Sequence, residues 1–226
     1  MTTMDLKNKN FKEQFYLILT GIFIASLVAS NLIFQKFFTW NFLGINFELS
    51  VGIIAYPVTF LVTDLISELY GQKRANQVVV SGFFASVFTT LLVLVSVNAT
   101  AVNWSPIDNL TFKKVFGLTG PAFFASMVAY LTAQLIDVRI FHFWKRLTKG
   151  KHLWLRNNAS TMFSQLVDTS VILIILCTAG VIEWERFFGL WIMGWLFKVF
   201  VALIDTPIIY GIIHLLKGKI DIAAVD

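Results

Sequence analysis

The sequence predicts an all-α membrane protein, a polytopic bundle of about six transmembrane helices. Three observations carry that expectation. The mean hydropathy is +0.75 and only 14% of residues are charged, about half the charged fraction of a soluble domain. The chain holds 23 Phe and 7 Trp in 226 residues, more apolar surface than a soluble domain of this size can bury. The apolar residues also fall into separate runs of about 20, the length needed to cross a bilayer.

Six such runs can be placed in order, at about 15–34, 48–70, 75–97, 119–141, 157–182 and 189–216. The first follows a polar, basic start and lacks a small-residue cleavage site, so it reads as a retained span and not a signal peptide. The second, 48–70, is the most polar and contains Pro57. The sixth is long enough to tilt and contains Pro207. Each proline removes a backbone donor and disturbs a helical turn, and broken helices in membranes expose backbone groups to ligands. In the first run Gly21, Ala25 and Ala29 recur every four residues, which predicts a face for close helix packing. No segment between runs is long enough for a separate domain, so residues 1–226 read as one transmembrane domain.

Lys and Arg counts predict the orientation. Thirteen lie on one side: Lys7, Lys9 and Lys12, then Lys73 and Arg74, then six from Arg139 to Arg156, then Lys217 and Lys219. The other side has four, Lys36, Lys113, Lys114 and Arg186. Both termini are therefore expected in the cytoplasm, in a bacterial case beneath the inner membrane. The same distribution accounts for the net charge of +5 without a nucleic-acid partner, since the cations sit between apolar runs and form no stripe. The bilayer is the predicted partner instead.

Ionisable residues inside the runs mark function. An ionised side chain at mid-bilayer costs about 2.5–3.5 kcal/mol on insertion scales. The second run nevertheless carries Thr63, Asp64 and Glu68; the fourth, Gln134 and Asp137; the fifth, Gln165 and Asp168; the sixth, Lys198 and Asp205. Asp64 and Glu68 share a helix face, as do Gln134 with Asp137, Gln165 with Asp168, and Lys198 with Asp205. Counting residues from the expected helix ends puts all four Asp between the midplane and the inner leaflet, as one shared polar centre. Some of these can serve structure alone: Gln134, Gln165 and Asn31 as bonds between helices, Glu68 as a partner of Lys73 or Arg74, Asp137 as a partner of Arg139. Acids still outnumber bases within the runs, which favours a site for a ligand that supplies donors.

Other chemistries find no support. Gly-x-Ser-x-Gly, His-Glu-x-x-His and P-loop patterns are absent, which excludes those enzyme classes. His142, His152, His214 and the single Cys177 lack metal-ligand spacing, and no cofactor is expected.

The stretch AYPVTFLVTDLISELYG at 55–71 resembles the signature of the queuosine precursor transporter family, also called the vitamin uptake transporter family. The likeness continues at Ser30-Asn31, at QLIDV from Gln134, at WLRNNAST from Trp154 with Gln165 and Asp168-Thr169, and at Lys198-Val199 with Asp205-Thr206-Pro207. It covers nearly the whole chain. The resemblance implies uptake of 7-deazaguanine bases across the cell membrane for tRNA queuosine modification, the substrate being 7-cyano-7-deazaguanine, 7-aminomethyl-7-deazaguanine or queuine. It also implies that Asn31, Tyr56, Thr63, Asp64, Glu68, Gln134, Asp137, Arg156, Gln165, Asp168, Lys198 and Asp205 are the substrate-binding candidates. The chemistry agrees: a carboxylate, Asp168 or Glu68, can accept the ring N–H and the exocyclic amine of a guanine-like edge, while Gln134 or Gln165 serves the carbonyl. Tyr56 or Tyr130 can stack on the ring, Lys198 balances charge, and Arg156 gates or pairs at the inner mouth. A substrate-binding subunit of a multi-component vitamin importer is the alternative, and a homo-oligomer is compatible with either.

Overall fold

The computed structural model describes residues 3–42, 45–117 and 120–216. Lys217 and Lys219, counted above for orientation, lie outside the described residues. Seven α-helices occur among them: α1 (Thr3–Ile33), α2 (Tyr56–Tyr70), α3 (Gln72–Asn98), α4 (Asn109–Phe116), α5 (Gly120–Leu147), α6 (Leu153–Thr178) and α7 (Phe187–Leu216). The most extensive contact is α5 on α6, followed by α6 on α7 and α1 on α2. Short connections at 71 and 148–152 and longer ones at the other end give an up-and-down arrangement.

Among the described residues five segments are long and apolar enough to cross a membrane: Asn10–Ile33, Val51–Tyr70, Gln72–Asn98, Leu153–Thr178 and Trp184–Leu216. The remaining expected span, the fourth, corresponds to α5, which has 28 residues and at 1.5 Å per residue is long enough to cross. Its second half carries Gln134, Asp137, Arg139, His142, Lys145 and Arg146.

α2 is the centre of the bundle. From Thr59 to Leu69 every residue but Leu61 is buried. Its apolar side joins Leu65 and Ile66 to Phe23 and Leu27 of α1, Val78 and Val79 of α3, and Tyr130 and Phe141 of α5. Its polar side, Thr59, Thr63, Asp64 and Glu68, repeats at helical spacing and meets α5 and α6. α7 lies at the opposite extreme, with only Ala202, Ile209 and Leu216 buried; its remaining apolar surface suits lipid.

Three local expectations are corrected. Two strands form a β-hairpin, β1 (Phe37–Phe42) against β2 (Ile45–Ser50), antiparallel with Phe38 opposite Leu49 and Thr39 opposite Glu48. Glu48 is therefore in a strand, not at the start of a spanning helix. Pro57 does not break a helix: a 3₁₀ turn, Val51–Ile54, comes first, and Pro57 sits in the first turn of α2, where its missing N–H costs nothing. The small-residue face of α1 also points away from the bundle. Gly21, Ala25 and Ala29 are exposed, and a Cβ built on Gly21 meets nothing within 4 Å. The packed face of α1 is instead Tyr16, Leu19, Phe23 and Leu27.

Gly82 of α3 is where close approach is real. A Cβ there would lie 2.6 Å from the Phe23 ring and 2.7 Å from the Tyr130 hydroxyl, so α1, α3 and α5 converge on the absent side chain. At the end bearing the N-terminus, Tyr70 donates to the Lys12 carbonyl at 2.8 Å and Arg74 pairs with Glu13 at 3.2 Å. These contacts tie the start of α1 to the sharp turn between α2 and α3, where Gly71 has φ 81°, a conformation that favours glycine.

Candidate functional site

The twelve predicted residues do not form one centre; they divide into an open group and a packed group. The open group surrounds a cavity of about 250 Å³ between the hairpin, the start of α2, α1, α6 and α7. A single water needs about 10–15 Å³ by the same measure, so this is space for a small molecule. Asn31, Tyr56, Asp168 and Lys198 line it.

Asp168 organises the cavity floor. Its Oδ1 accepts from the Tyr56 hydroxyl at 2.9 Å and its Oδ2 from Lys198 Nζ at 2.5 Å. Lys198 also donates to Thr169 Oγ1 at 3.1 Å and lies 5.5 Å from the centre of the Tyr56 ring. Lys198 thus balances the charge of Asp168. A carboxylate offers about four lone-pair positions and these two bonds use two, so Asp168 retains acceptor capacity toward the cavity. Asn31 Oδ1 accepts from Ser126 at 2.9 Å, while its Nδ2 is buried without a partner. The lining residues therefore include an unpartnered donor on Asn31 and a spare acceptor on Asp168. Phe34 and Phe37 add apolar faces.

Below the floor a narrow cleft of about 10 Å³ is lined by Tyr56, Phe60, Thr161, Gln165, Lys198 and Asp205. It brings together Gln165, Lys198 and Asp205, and the buried Gln165 Oε1 has no partner there.

The packed group lines neither space. Gln134 is fully buried; its Nε2 donates to Thr59 at 3.1 Å and its Oε1 accepts from Thr63 at 3.2 Å. Asp64 accepts from Thr161 at 3.3 Å, and Asp137 from Ser164 at 2.8 Å. Glu68 meets neither Lys73 nor Arg74. It pairs with Arg156 at 2.6 Å and with Lys145 at 3.5 Å, all three side chains no more than 6% exposed. The second guanidinium nitrogen of Arg156 donates to the Gly150 and Lys151 carbonyls at 3.0 and 3.1 Å. One side chain thereby closes the α5–α6 turn onto the end of α2. Tyr130 is packed as well, donating to the Val79 carbonyl at 2.7 Å, away from the cavity.

The expectation of a single depth fails for a physical reason. α6 begins at Leu153, because Lys149, Gly150 and His152 adopt positive φ and reverse the chain tightly. Asp168 is then 15 residues along α6, roughly 22 Å at 1.5 Å each, which carries it toward the hairpin end. Sequence reasoning left Ser30, Glu48, Ser126 and Thr169 out of the binding set, and all of them line the cavity. The alternation Ile-Asn-Phe-Glu-Leu-Ser at 45–50 was the available signal for the strand that positions Glu48.

Residues 50–212 match a protein family described as "Putative vitamin uptake transporter". The chain is 29% identical over 167 residues to a "Probable queuosine precursor transporter" of Bacillus subtilis, covering 72% of this chain and 70% of the relative. It is 28% identical over 172 residues to a protein of that name from Haemophilus influenzae, covering 74% and 69%. It is 24% identical over 211 residues to the "Queuosine precursor transporter" of Escherichia coli, covering 92% and 89%. No solved structure matches.

Proposed function

The chain belongs to the "Putative vitamin uptake transporter" family, and we propose that it carries queuosine precursors, 7-deazaguanine bases, across the cytoplasmic membrane. The observation that carries this reading is the cavity lined by Asp168, Tyr56, Lys198 and Asn31. A guanine-like edge presents a ring N–H and an amine beside a carbonyl. The spare acceptor positions of Asp168 take the first two, and the unpartnered Asn31 Nδ2 takes the third. Gln165 Oε1, free in the cleft beneath, is the next acceptor inward. Buried polar matching of this kind rejects bases that lack the donors, and Phe34, Phe37 and Tyr56 supply faces for the ring.

In this reading all six long helices span the membrane and both termini lie in the cytoplasm, as the excess of cations at that end requires. The cavity then opens outward, and the Glu68–Arg156–Lys145 cluster closes the inner side. Substrate contact falls to the cavity residues, and the packed group holds the closed half together.

Cells lacking their own importer and expressing this chain should accumulate labelled 7-cyano-7-deazaguanine or 7-aminomethyl-7-deazaguanine, with Asp168→Asn lowering uptake at least tenfold. A wild-type chain that takes up neither base overturns the proposal. The exposed Gly21–Ala25–Ala29 face of α1 favours one other reading, docking to further components of an importer. Uptake by this chain alone, without an ATPase partner, excludes it.

A further inference from the structure

Asp64 and Asp137 lie apart from the substrate cavity, and the arrangement around them is incomplete in one respect. Asp64 is 2% exposed and Asp137 fully buried, and one turn of α6 donates to both carboxyl groups, Thr161 to Asp64 and Ser164 to Asp137. One oxygen on each, Asp64 Oδ1 and Asp137 Oδ2, has no donor. Hydroxyls and acids pack against the pair. α6 presents the hydroxyls of Ser160, Thr161 and Ser164. α7 presents a third acid, Asp205. The next acid along α2 is Glu68, and the cations that reach it, Arg156 from α6 and Lys145 from α5, form ion pairs there. Two carboxylates side by side in a low-dielectric interior repel each other, which favours a proton held between them.

The structure assigns to this pair a binding site for one proton: Asp64 and Asp137 share it in the closed half, and its exchange with the cavity couples base uptake to the proton gradient. This rests on the transport reading above and names its driving ion. The route is on the page. Thr161, which donates to Asp64, also lines the cleft under the cavity floor. That cleft has room for about one water by the measure above, with Gln165, Lys198 and Asp205 as polar neighbours. A proton arriving from the cavity thus meets Asp205 and the cleft before the pair. On binding, the pair goes from two negative charges to one; on release inward it regains the second. No other species is consumed.

Two measurements test this. Infrared spectroscopy of the purified wild-type protein at neutral pH should show a protonated-carboxyl band that shifts in D₂O and is lost in both Asp64→Asn and Asp137→Asn. In vesicles with an inward proton gradient, wild type should concentrate 7-cyano-7-deazaguanine at least tenfold, and Asp137→Asn should not rise above equal concentrations. A wild-type protein without the band overturns the proposal even if both variants fail to fold, and so does concentration by Asp137→Asn at the wild-type ratio. The infrared result needs no substrate. A band present in a protein that carries no base would leave the proton site standing and remove the transport reading.

Discussion

At the floor of the cavity, Asp168 holds Tyr56 and Lys198 and still borders open space. Nearer the chain termini, Glu68 holds Arg156 and Lys145 with no such space beside it. Both are acids paired with cations inside a membrane bundle, and the sequence does not distinguish them. The difference lies in what can replace a lost partner. Water or ligand can enter beside Asp168. The side chains around Glu68 are buried, so in the proposed reading that group supports the closed half and the Asp168 group supports recognition.

The comparison is broken most directly by removing one cation from each group. Arg156→Ala leaves a buried carboxylate short of a partner, a change that costs about 3–5 kcal/mol. Lys198→Ala exposes Asp168 to the cavity, where solvent compensates, and should cost clearly less. Unfolding in mixed detergent should therefore show a large loss for Arg156→Ala and a small one for Lys198→Ala, while base binding shows the reverse severity among the folded fractions. Equal stability losses would mean that the cavity does not hydrate Asp168.

A second contrast concerns two faces carrying small residues. Gly82→Ala forces a methyl against Phe23 and Tyr130, and overpacking of that kind costs about 1–3 kcal/mol. Gly21→Ala meets nothing within 4 Å and should leave the melting temperature of the isolated protein unchanged. If Gly21→Ala also destabilises the purified protein, its face is covered by a second chain.

Much of this architecture is legible in the sequence because the bilayer imposes simple rules. Runs of about 20 apolar residues locate helices, and the cost of intramembrane charge singles out Asp64, Glu68, Asp137, Asp168 and Lys198. Spacing does not tell which partner each acid takes. Glu68 is four residues from Asp64 and five from Lys73, yet its partners come from α5 and α6, 77 and 88 positions away. Depth failed for a related reason, since the tight reversal at 148–152 lengthened α6 at its start. The hairpin was hidden by composition: the aromatic residues of Phe37–Phe42 resemble those of the spans around it, and only the alternation of Ile45–Ser50 separates it from them. The inverse error occurred at Gly21, Ala25 and Ala29, where small-residue spacing marks a face without saying which way it points.

The smallest expected effect supplies the baseline for the others. α4 lies outside both polar groups and outside the spanning segments, with no buried residue. Its start is capped by Asp108, whose carboxylate accepts from the Thr111 N–H at 2.6 Å. Hydrogen bonds from Thr111, side chain and backbone, hold Asp108 below the ordinary carboxylate range. A lowered value means the cap is complete above the unfolded carboxylate value and is lost as pH falls through the lower, folded one. Acidification through that window should speed hydrogen exchange at Thr111, and Asp108→Ala should speed it already at neutral pH. Neither change should alter base binding or the unfolding of the bundle, because the cap touches neither the Asp168 group nor the Glu68 group. If Asp108→Ala weakens base binding, α4 forms part of the cavity's entrance, and the boundary between the two groups must be drawn to include it.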